Sequence, residues 1–390
     1  MKLLNIEISE TDGKCWIDVN GRFINSIGKF SELKEAKINS NEFEIQFDNA
    51  IAFPGLINSH DHLEFNLFPM LGNKKYNDYV EWGVDIHKSN SKTITEILKI
   101  PIDLRIKYGI YKNILNGVTT VINHGKNNIE GDSIIDVITK YNYLHSIRLE
   151  KYWRAKINLV QNNFPFVIHI GEGTNRESYD EINKLIQWNI FNKKIIGVHA
   201  IAMDVKQAEH FKAIVWCPVS NNFLYGKTSH INSLKYKTEI LFGTDSNLSS
   251  EWNLWKHLRF ARNFQLLNDT ELFQSVTSNA SKVWGINKIG SINTENIADI
   301  VAAEKNSSNF FDSFYSLNPN DILLIIKKGK IIFFDEKILN QLKDFETEIP
   351  HYTKIKINES IKYILGRLDE LCDKIKFYTS EVSFPFEYFR

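Results

Sequence analysis

The chain of 390 residues is long enough for one domain of barrel size with a smaller one beside it, and its hydrophobic content of 43% supplies an ordinary globular core. Its 47 basic and 47 acidic residues cancel to a formal net charge of +0, which excludes the electrostatic footprint of a nucleic-acid or anionic-membrane partner. Three distant cysteines, Cys15, Cys217 and Cys372, argue against a disulfide framework, and no apolar run approaches the ~20 residues of a membrane span, so the expectation is a cytoplasmic protein. The opening stretch MKLLNIEISETDGK is too poor in apolar residues to read as a secretory signal.

Residues 1–52 carry short alternating segments such as CWIDVNGRFINSIG, which predict strands. From Phe53 to about Asn287, short apolar strands alternate with helical stretches, the pattern of βα units around a parallel sheet. Seven strands are placed: AFPGLINSH, GVTTVINHG (117–125), YLHSIRLE (143–150), PFVIHIGEG (165–173), KIIGVHAIA (194–202), AIVWCPVSNN (213–222) and EILFGTDSN (239–247). Between them, 95–116 and 180–192 have helical spacing, the first closed by Gly117. ADIVAAE and DILLIIKKGKIIFFD follow, with Lys328 and Gly329 as a hairpin turn. The last stretch, SIKYILGRLDELCDKIKFY, places Ile361, Ile364, Leu365, Leu368, Leu371 and Ile375 in a helical stripe, expected to pack on the body or on a partner subunit. The expected organisation is a small β domain from 1–52 and 288–345, a barrel over 53–287, and a helical tail over 346–390.

The stretch PGLINSHDHLEF ends a strand in two histidines. Chance predicts roughly 0.3 His-x-His pairs in such a chain, so the pair means little alone. Strand alternation puts His60 and His62 on one face, with Asn58 and Leu56. Later strands each deliver one polar residue at their C-terminal end: His169, His199 and Asp245. By the same alternation Ile196 and Val198 are expected to face the outer helices, as are Phe242 and Thr244, with Gly197 and Gly243 inward. A lone buried histidine is usually a hydrogen-bonded core group, but five such residues at strand ends point to a metal site. Nitrogen and oxygen donors without thiolate suit one divalent ion, zinc or alternatively iron, with an open position for water. Such an ion brings the pKa of its water towards about 7, which makes hydroxide available for hydrolysis. Glu172, three residues after His169, supplies a proton carrier if the chain leaves the strand near Gly171.

In their order, PGLINSHDH, GVTTV, HIGEG, GVHAI, CPVSNNFLYG and FGTDS resemble the amidohydrolase superfamily, in its branch of cytosine and adenosine deaminases and chlorohydrolase-like enzymes. The resemblance implies an α/β fold with a TIM-like (β/α) barrel, its active site at the C-terminal strand ends, and a small β-sandwich built from both termini. It implies His60, His62, His169 and Asp245 as metal ligands. Asp245 would also take a proton from the bound water, His199 would orient that water and the developing oxyanion, and Glu172 would carry a proton to the leaving nitrogen. The implied reaction is hydrolysis of a C–N bond, first of all deamination of a small heterocyclic or amidine-like substrate. Amide or other hydrolysis on the same site, or a non-catalytic binding barrel, are the alternatives. In two respects the chain departs from the pattern: only one strand is placed between the second and fifth motifs, so the barrel is expected to be distorted or short of a strand. No lysine stands at an obvious strand end to bridge two metals.

After His62 an aromatic-rich connection leaves the active-site end of the first strand, where loops choose the substrate. Phe65, Phe68, Tyr76, Tyr79 and Trp82 are candidates for an apolar pocket, Glu64 for a substrate N–H, and Arg148 for a carboxylate, each with a packing or salt-bridge role as the alternative. His124, at the second strand end, is read as a neighbour of the ligands. A small-molecule substrate and a homodimer complete the expectation.

Overall fold

The computed structural model describes residues 1–9, 13–33, 43–125, 133–342 and 347–389, and among them no helix is long and apolar enough to cross a membrane. The boundary expected at 345/346 lies outside the described residues.

Four strands open the chain: β1 (Lys2–Ile8), β2 (Lys14–Asn20), β3 (Phe23–Lys29) and β4 (Glu44–Pro54). Past Gly55 the chain enters a series of eight strands: β5 (Leu56–Asp61), β6 (Val118–Asn123), β7 (Asp136–Ile138), β8 (Asn142–Ser146), β9 (Phe166–Ile170), β10 (Ile195–His199), β11 (Ala213–Trp216) and β12 (Glu239–Phe242). All their ladders are parallel, forming one arc β5-β6-β7 and another β8-β9-β10-β11-β12. Across the β12/β5 seam the Asp245 N–H donates to the His60 carbonyl at 3.0 Å. The count corrects the seven strands read from sequence. β7 has three residues, all partly exposed, so it carries no apolar run. Its Asp136 is instead held by Lys327 and Lys328 at 2.7 and 2.5 Å.

The connections hold α1 (Tyr79–Ser89), α2 (Ser91–Leu98), α3 (Ile102–Leu115), α4 (Trp153–Leu159), α5 (Arg176–Trp188), the single turn α6 (Val205–Ala208) and α7 (Pro218–Tyr225). The helix expected over 95–116 is two, because Pro101 cannot donate within a helix and separates them. The strand expected over 213–222 stops at Trp216, and Pro218 opens α7, where its missing N–H costs nothing.

The chain closes with β13 (Ile300–Glu304), β14 (Ile322–Lys327), β15 (Lys330–Asp335), β16 (Tyr352–Ile357), β17 (Ser360–Leu365) and β18 (Glu387–Tyr388). With β1–β4 they form one sheet of ten strands, ordered β18-β16-β17-β15-β14-β13-β4-β1-β2-β3. Lys328 and Gly329, at φ 51° and 77°, make the hairpin turn expected there. The helical tail is corrected. Ile361, Ile364 and Leu365 lie on β17, paired between β15 and β16, and only Leu368, Leu371 and Ile375 share a helix, Leu368–Tyr378. The alternating YTKIKI of β16 offers β17 a strand partner, and that pairing overrides the helical spacing.

Two apolar layers sandwich the barrel strands. Ile168 and Ile170 face Ile182 and Leu185 of α5, whereas Ile57, Ile122, Val167, Ile196, Val198, Val215 and Leu241 fill the inner side.

Candidate metal centre and proton-transfer site

His60 and His62 reach the interior through a break in the pleat. The β5/β6 register shifts between Asn58 and Asp61. Before the shift Ile57 faces inward, and the Asn58 amide points outward, donating to Asn113 of α3 at 3.1 Å and to Thr244 Oγ1 at 2.8 Å. After it the histidines face inward, and Asp61 turns out to meet Lys112 of α3 at 3.2 Å and the Asn113 amide at 2.8 Å. The histidines therefore do not share the face of Asn58 and Leu56. A bulge, not simple alternation, aims them.

His169 follows the pleat of β9, on the inner side with Val167. His199 does not follow the pleat of β10. Val198 pairs beside His169 and is inward, and a Cβ on Gly197 would strike Ile170, Ile214 and Phe211 on the helix side. The expected orientations of Ile196, Gly197 and Val198 are thus reversed. His199 turns inward because it adopts φ 70° at the strand end, followed by Ala200 at φ 50°. Asp245 takes φ 59° at the equivalent place after β12. Left-handed backbone at non-glycine residues costs on the order of 1 kcal/mol or more each and is characteristic of functional sites. On β12 Phe242 is outward and Gly243 inward, where a Cβ would meet His60 at 2.7 Å.

Glu172 stands on a turn made by Gly171, whose φ of 58° is open to glycine at no cost. α7 then supports three residues at once. Ser220 Oγ donates to Asp245 Oδ2 at 2.8 Å, Asn221 Oδ1 accepts from His199 Nδ1 at 2.8 Å, and Tyr225 OH donates to Glu172 Oε1 at 2.8 Å. Ser249 Oγ also reaches Asp245 Oδ2 at 2.8 Å. With Nδ1 spent on Asn221, His199 directs Nε2, buried and without a hydrogen-bond partner, towards Glu172 Oε1 at 3.7 Å and Asp245 Oδ2 at 3.9 Å.

The donors surround one space. His60 Nε2 lies 3.2 Å from His169 Nε2 and 3.7 Å from Asp245 Oδ1, and His62 Nε2 lies 3.8 Å from the same oxygen. His60, His169 and His199 form one set, and His60, His62 and Asp245 another, with all donor atoms in each within 4.8 Å. A tetrahedral ion about 2.1 Å from each ligand holds ligand atoms roughly 3.4 Å apart, so the spacing fits a zinc-sized cation. Burial holds the pKa values of His60 and His169 well down, and neighbouring imidazoles push the same way. Each therefore keeps a lone pair for a cation. Burial alone would raise Asp245, but the imidazoles of His199 and His62, the Ser220 hydroxyl and the Ser246 N–H hold its carboxyl below the usual range. Burial raises Glu172, aided by the nearby Asp245. One carboxylate is thus biased towards the charged form and the other towards carrying a proton.

Two further histidines join the cluster. His124 stacks on His169 with ring centroids 4.6 Å apart, fully buried with neither ring nitrogen hydrogen-bonded. His145 lies 5.3 Å from His169 by the same measure, its pKa lowered to about 4 by burial. The sequence carried a signal for both, a histidine near the end of a barrel strand. His145 escaped notice because the strand was read as continuing to Glu150, whereas β8 ends at Ser146.

The expected substrate residues are more dispersed. Phe65 packs on His62 with centroids 5.7 Å apart, the nearest of them to the histidines in ring contact. Phe68 is buried beside Phe65 and lines a cavity of about 440 Å³ with Tyr108, Trp252 and Phe384. Glu64 is buried against Gly125, with Oε2 lacking a hydrogen-bond partner. Trp82 donates from Nε1 to the Leu71 carbonyl at 2.8 Å and packs by Tyr225 and Ile201. The Arg148 guanidinium is engaged by Asp78 and Glu181 at 2.7 and 3.1 Å.

Residues 159–332 match the family model described as the amidohydrolase family. A 5-methylthioadenosine/S-adenosylhomocysteine deaminase of Caldicellulosiruptor saccharolyticus is 24% identical over 388 residues, covering 82% of this chain and 88% of the relative. A protein of the same description from Halothermothrix orenii is 22% identical, covering 87% and 96%. Among solved structures, a zinc-bound adenosine deaminase from Xanthomonas campestris superposes with a TM-score of 0.68 at 13% identity, over 88% of this chain and 97% of its own.

Proposed function

We propose that the chain is a metal-dependent aminohydrolase of a small heterocyclic amine, a reading supported by the match of residues 159–332 to the amidohydrolase family model and by the deaminases it is similar to. The observation that carries this reading is the overlap at His60 of two sets of buried donors, His60, His169 and His199 in one and His60, His62 and Asp245 in the other, with Glu172 3.5 Å from His169 and 3.7 Å from His199. His60, His62, His169 and Asp245 are the residues that would hold the ion, zinc first and iron second. When bound, the ion supplies a Lewis acid that lowers the pKa of water.

The chain's own residues do the rest. Asp245 Oδ2, oriented by Ser220 and Ser249, accepts a proton from the attacking water. His199 Nε2, with Nδ1–H given to Asn221, is placed to accept a hydrogen bond from the attacking water and so orient it. Glu172, raised by burial and held through Oε1 by Tyr225, passes a proton to the leaving nitrogen, and ammonia departs. The family resemblance of the relatives named above favours a purine-type ring. Phe65 and Glu64 are the side chains nearest to this role in the loop after β5. In the same reading the protein works in the cytoplasm, its three cysteines buried and outside any disulfide, as a homodimer that light scattering would test.

The test pairs elemental analysis of the purified protein with ammonia release from aminopurines, aminopyrimidines, pterins, adenosine-type nucleosides and simple amides. About one zinc or iron per chain with ammonia from a ring substrate is the expected result. Metal without ammonia from any ring moves the reading to amide or other hydrolysis, and no metal even after reconstitution overturns it.

A further inference from the structure

The turn that carries Glu172 is held by a polar cluster on the side away from the histidines. Glu181, on α5 and only 1% exposed, accepts the Gly171 N–H at 2.9 Å through Oε1. Its Oε2 receives Arg148 Nε at 3.1 Å and Tyr79 OH at 3.3 Å. Arg148 also donates from Nη1 to Asp78 Oδ2 at 2.7 Å, and its guanidinium lies over the Tyr79 ring at 4.4 Å. Asp78 pairs with Gly173 in an antiparallel bridge, Thr174 N–H donates to the Asn77 carbonyl at 2.8 Å, and Tyr79 N–H to the Glu172 carbonyl at 3.3 Å. A Cβ on Gly173 would come within 2.6 Å of the Asn77 carbonyl and 2.8 Å of the Asp78 side chain, so the two loops touch backbone to backbone. Residues from the loop after β5, from the end of β8 and from α5 thus converge on the peptide units at both sides of Glu172.

We infer that Arg148 is a positioning residue: by clamping Glu181 and Asp78 together it fixes the Gly171–Gly173 turn and so aims the Glu172 carboxyl. The planar fork of the guanidinium is suited to joining two carboxylates on separate elements, which a lysine cannot reproduce. Three of the guanidinium's contacts face the turn's supports: Asp78, Glu181 and Ser178. The assignment rests on the role of Glu172 in the reading above. It also gives the aromatic loop a mechanical link to the proton carrier, because Asp78 caps α1 through the N–H groups of Val80 and Glu81.

The experiment compares wild type, Arg148→Met, Arg148→Lys, Glu181→Gln, Glu172→Gln and the double variant Arg148→Met/Glu172→Gln. Each is assayed on the ring amine identified by ammonia release and on its chloro analogue, whose leaving chloride needs no proton, with metal content measured for each. Arg148→Met is expected to lower kcat on the amine about 10- to 100-fold, as small misplacements of a catalytic group do, with KM within about 3-fold, a smaller loss on the chloro analogue, and unchanged metal content. Arg148→Lys should fall between wild type and Arg148→Met. In the Glu172→Gln background Arg148→Met should cost less than about 2-fold more. A rise in KM with kcat intact would make Arg148 a substrate contact, and losses that multiply in the double variant would make it an independent structural group. Either overturns the inference. If Arg148→Met does not fold, Glu181→Gln carries the same comparison. Full activity in Glu172→Gln would instead overturn the role of Glu172 itself.

Discussion

Asp245 presents its two oxygens in different directions. Oδ1 looks towards His60 and His62, and Oδ2 towards Ser220, Ser249 and His199. An amide would keep the shape and one oxygen but lose the charge and the basic site. Asp245→Asn is therefore expected to leave the circular dichroism spectrum and thermal midpoint near those of wild type while kcat falls about 10²- to 10⁴-fold. Activity within a few-fold of wild type would remove Asp245 from the proton path. At this scale the sequence was informative about which residues come together and poor about how they point. His60 and His62 were read on the face of Asn58, and His199 on the face of Gly197, and both assignments fail for the same reason. Strand alternation holds only inside a regular ladder, and these residues sit at a bulge and at a left-handed strand end.

At the scale of elements, α7 was hidden in what reads as a buried strand. Pro218 inside AIVWCPVSNN marked its start, and the spacing of Ser220, Asn221 and Tyr225 is what lets one short helix touch Asp245, His199 and Glu172. The turn after β9 was legible, because a glycine between His169 and Glu172 leaves few other reasons for its presence. Gly171→Ala should be costly, since the new Cβ would meet Ile182 Cδ1 at 2.7 Å and the left-handed φ of 58° would be strained. We expect about 1–3 kcal/mol lost in urea denaturation, with kcat reduced as the Glu172 turn shifts. A neutral variant on both counts would show that the turn relaxes freely.

At the scale of the whole molecule, the barrel has a seam between β12 and β5, the two strands that deliver Asp245 and the His60/His62 pair. Lys112 of α3 spans it, buried, contacting Asp61 at 3.2 Å, Asn66 at 3.0 Å and Thr244 at 3.4 Å. Removing one partner of a buried ion pair leaves the other uncompensated and costs about 3–5 kcal/mol. Lys112→Met should therefore lower the urea-unfolding free energy of the metal-free protein by about that amount and weaken zinc binding in a competition titration. A change below about 1 kcal/mol would mean that the amides of Asn66 and Asn113 satisfy Asp61 alone.

What the sequence by itself determined was chemical identity and order: which strands end in imidazole or carboxylate, and that these ends follow one another along a βα pattern. Those are local properties, carried by a few residues each. The three-residue β7, the docking of β17 on β15 within the ten-stranded sheet, and the bulge that turns His60 and His62 inward were decided by tertiary structure alone. Each depends on partners far away in the chain. Lys327 holds β7 across 191 residues, and Arg148 meets Asp78 across 70, and no local pattern records such pairings.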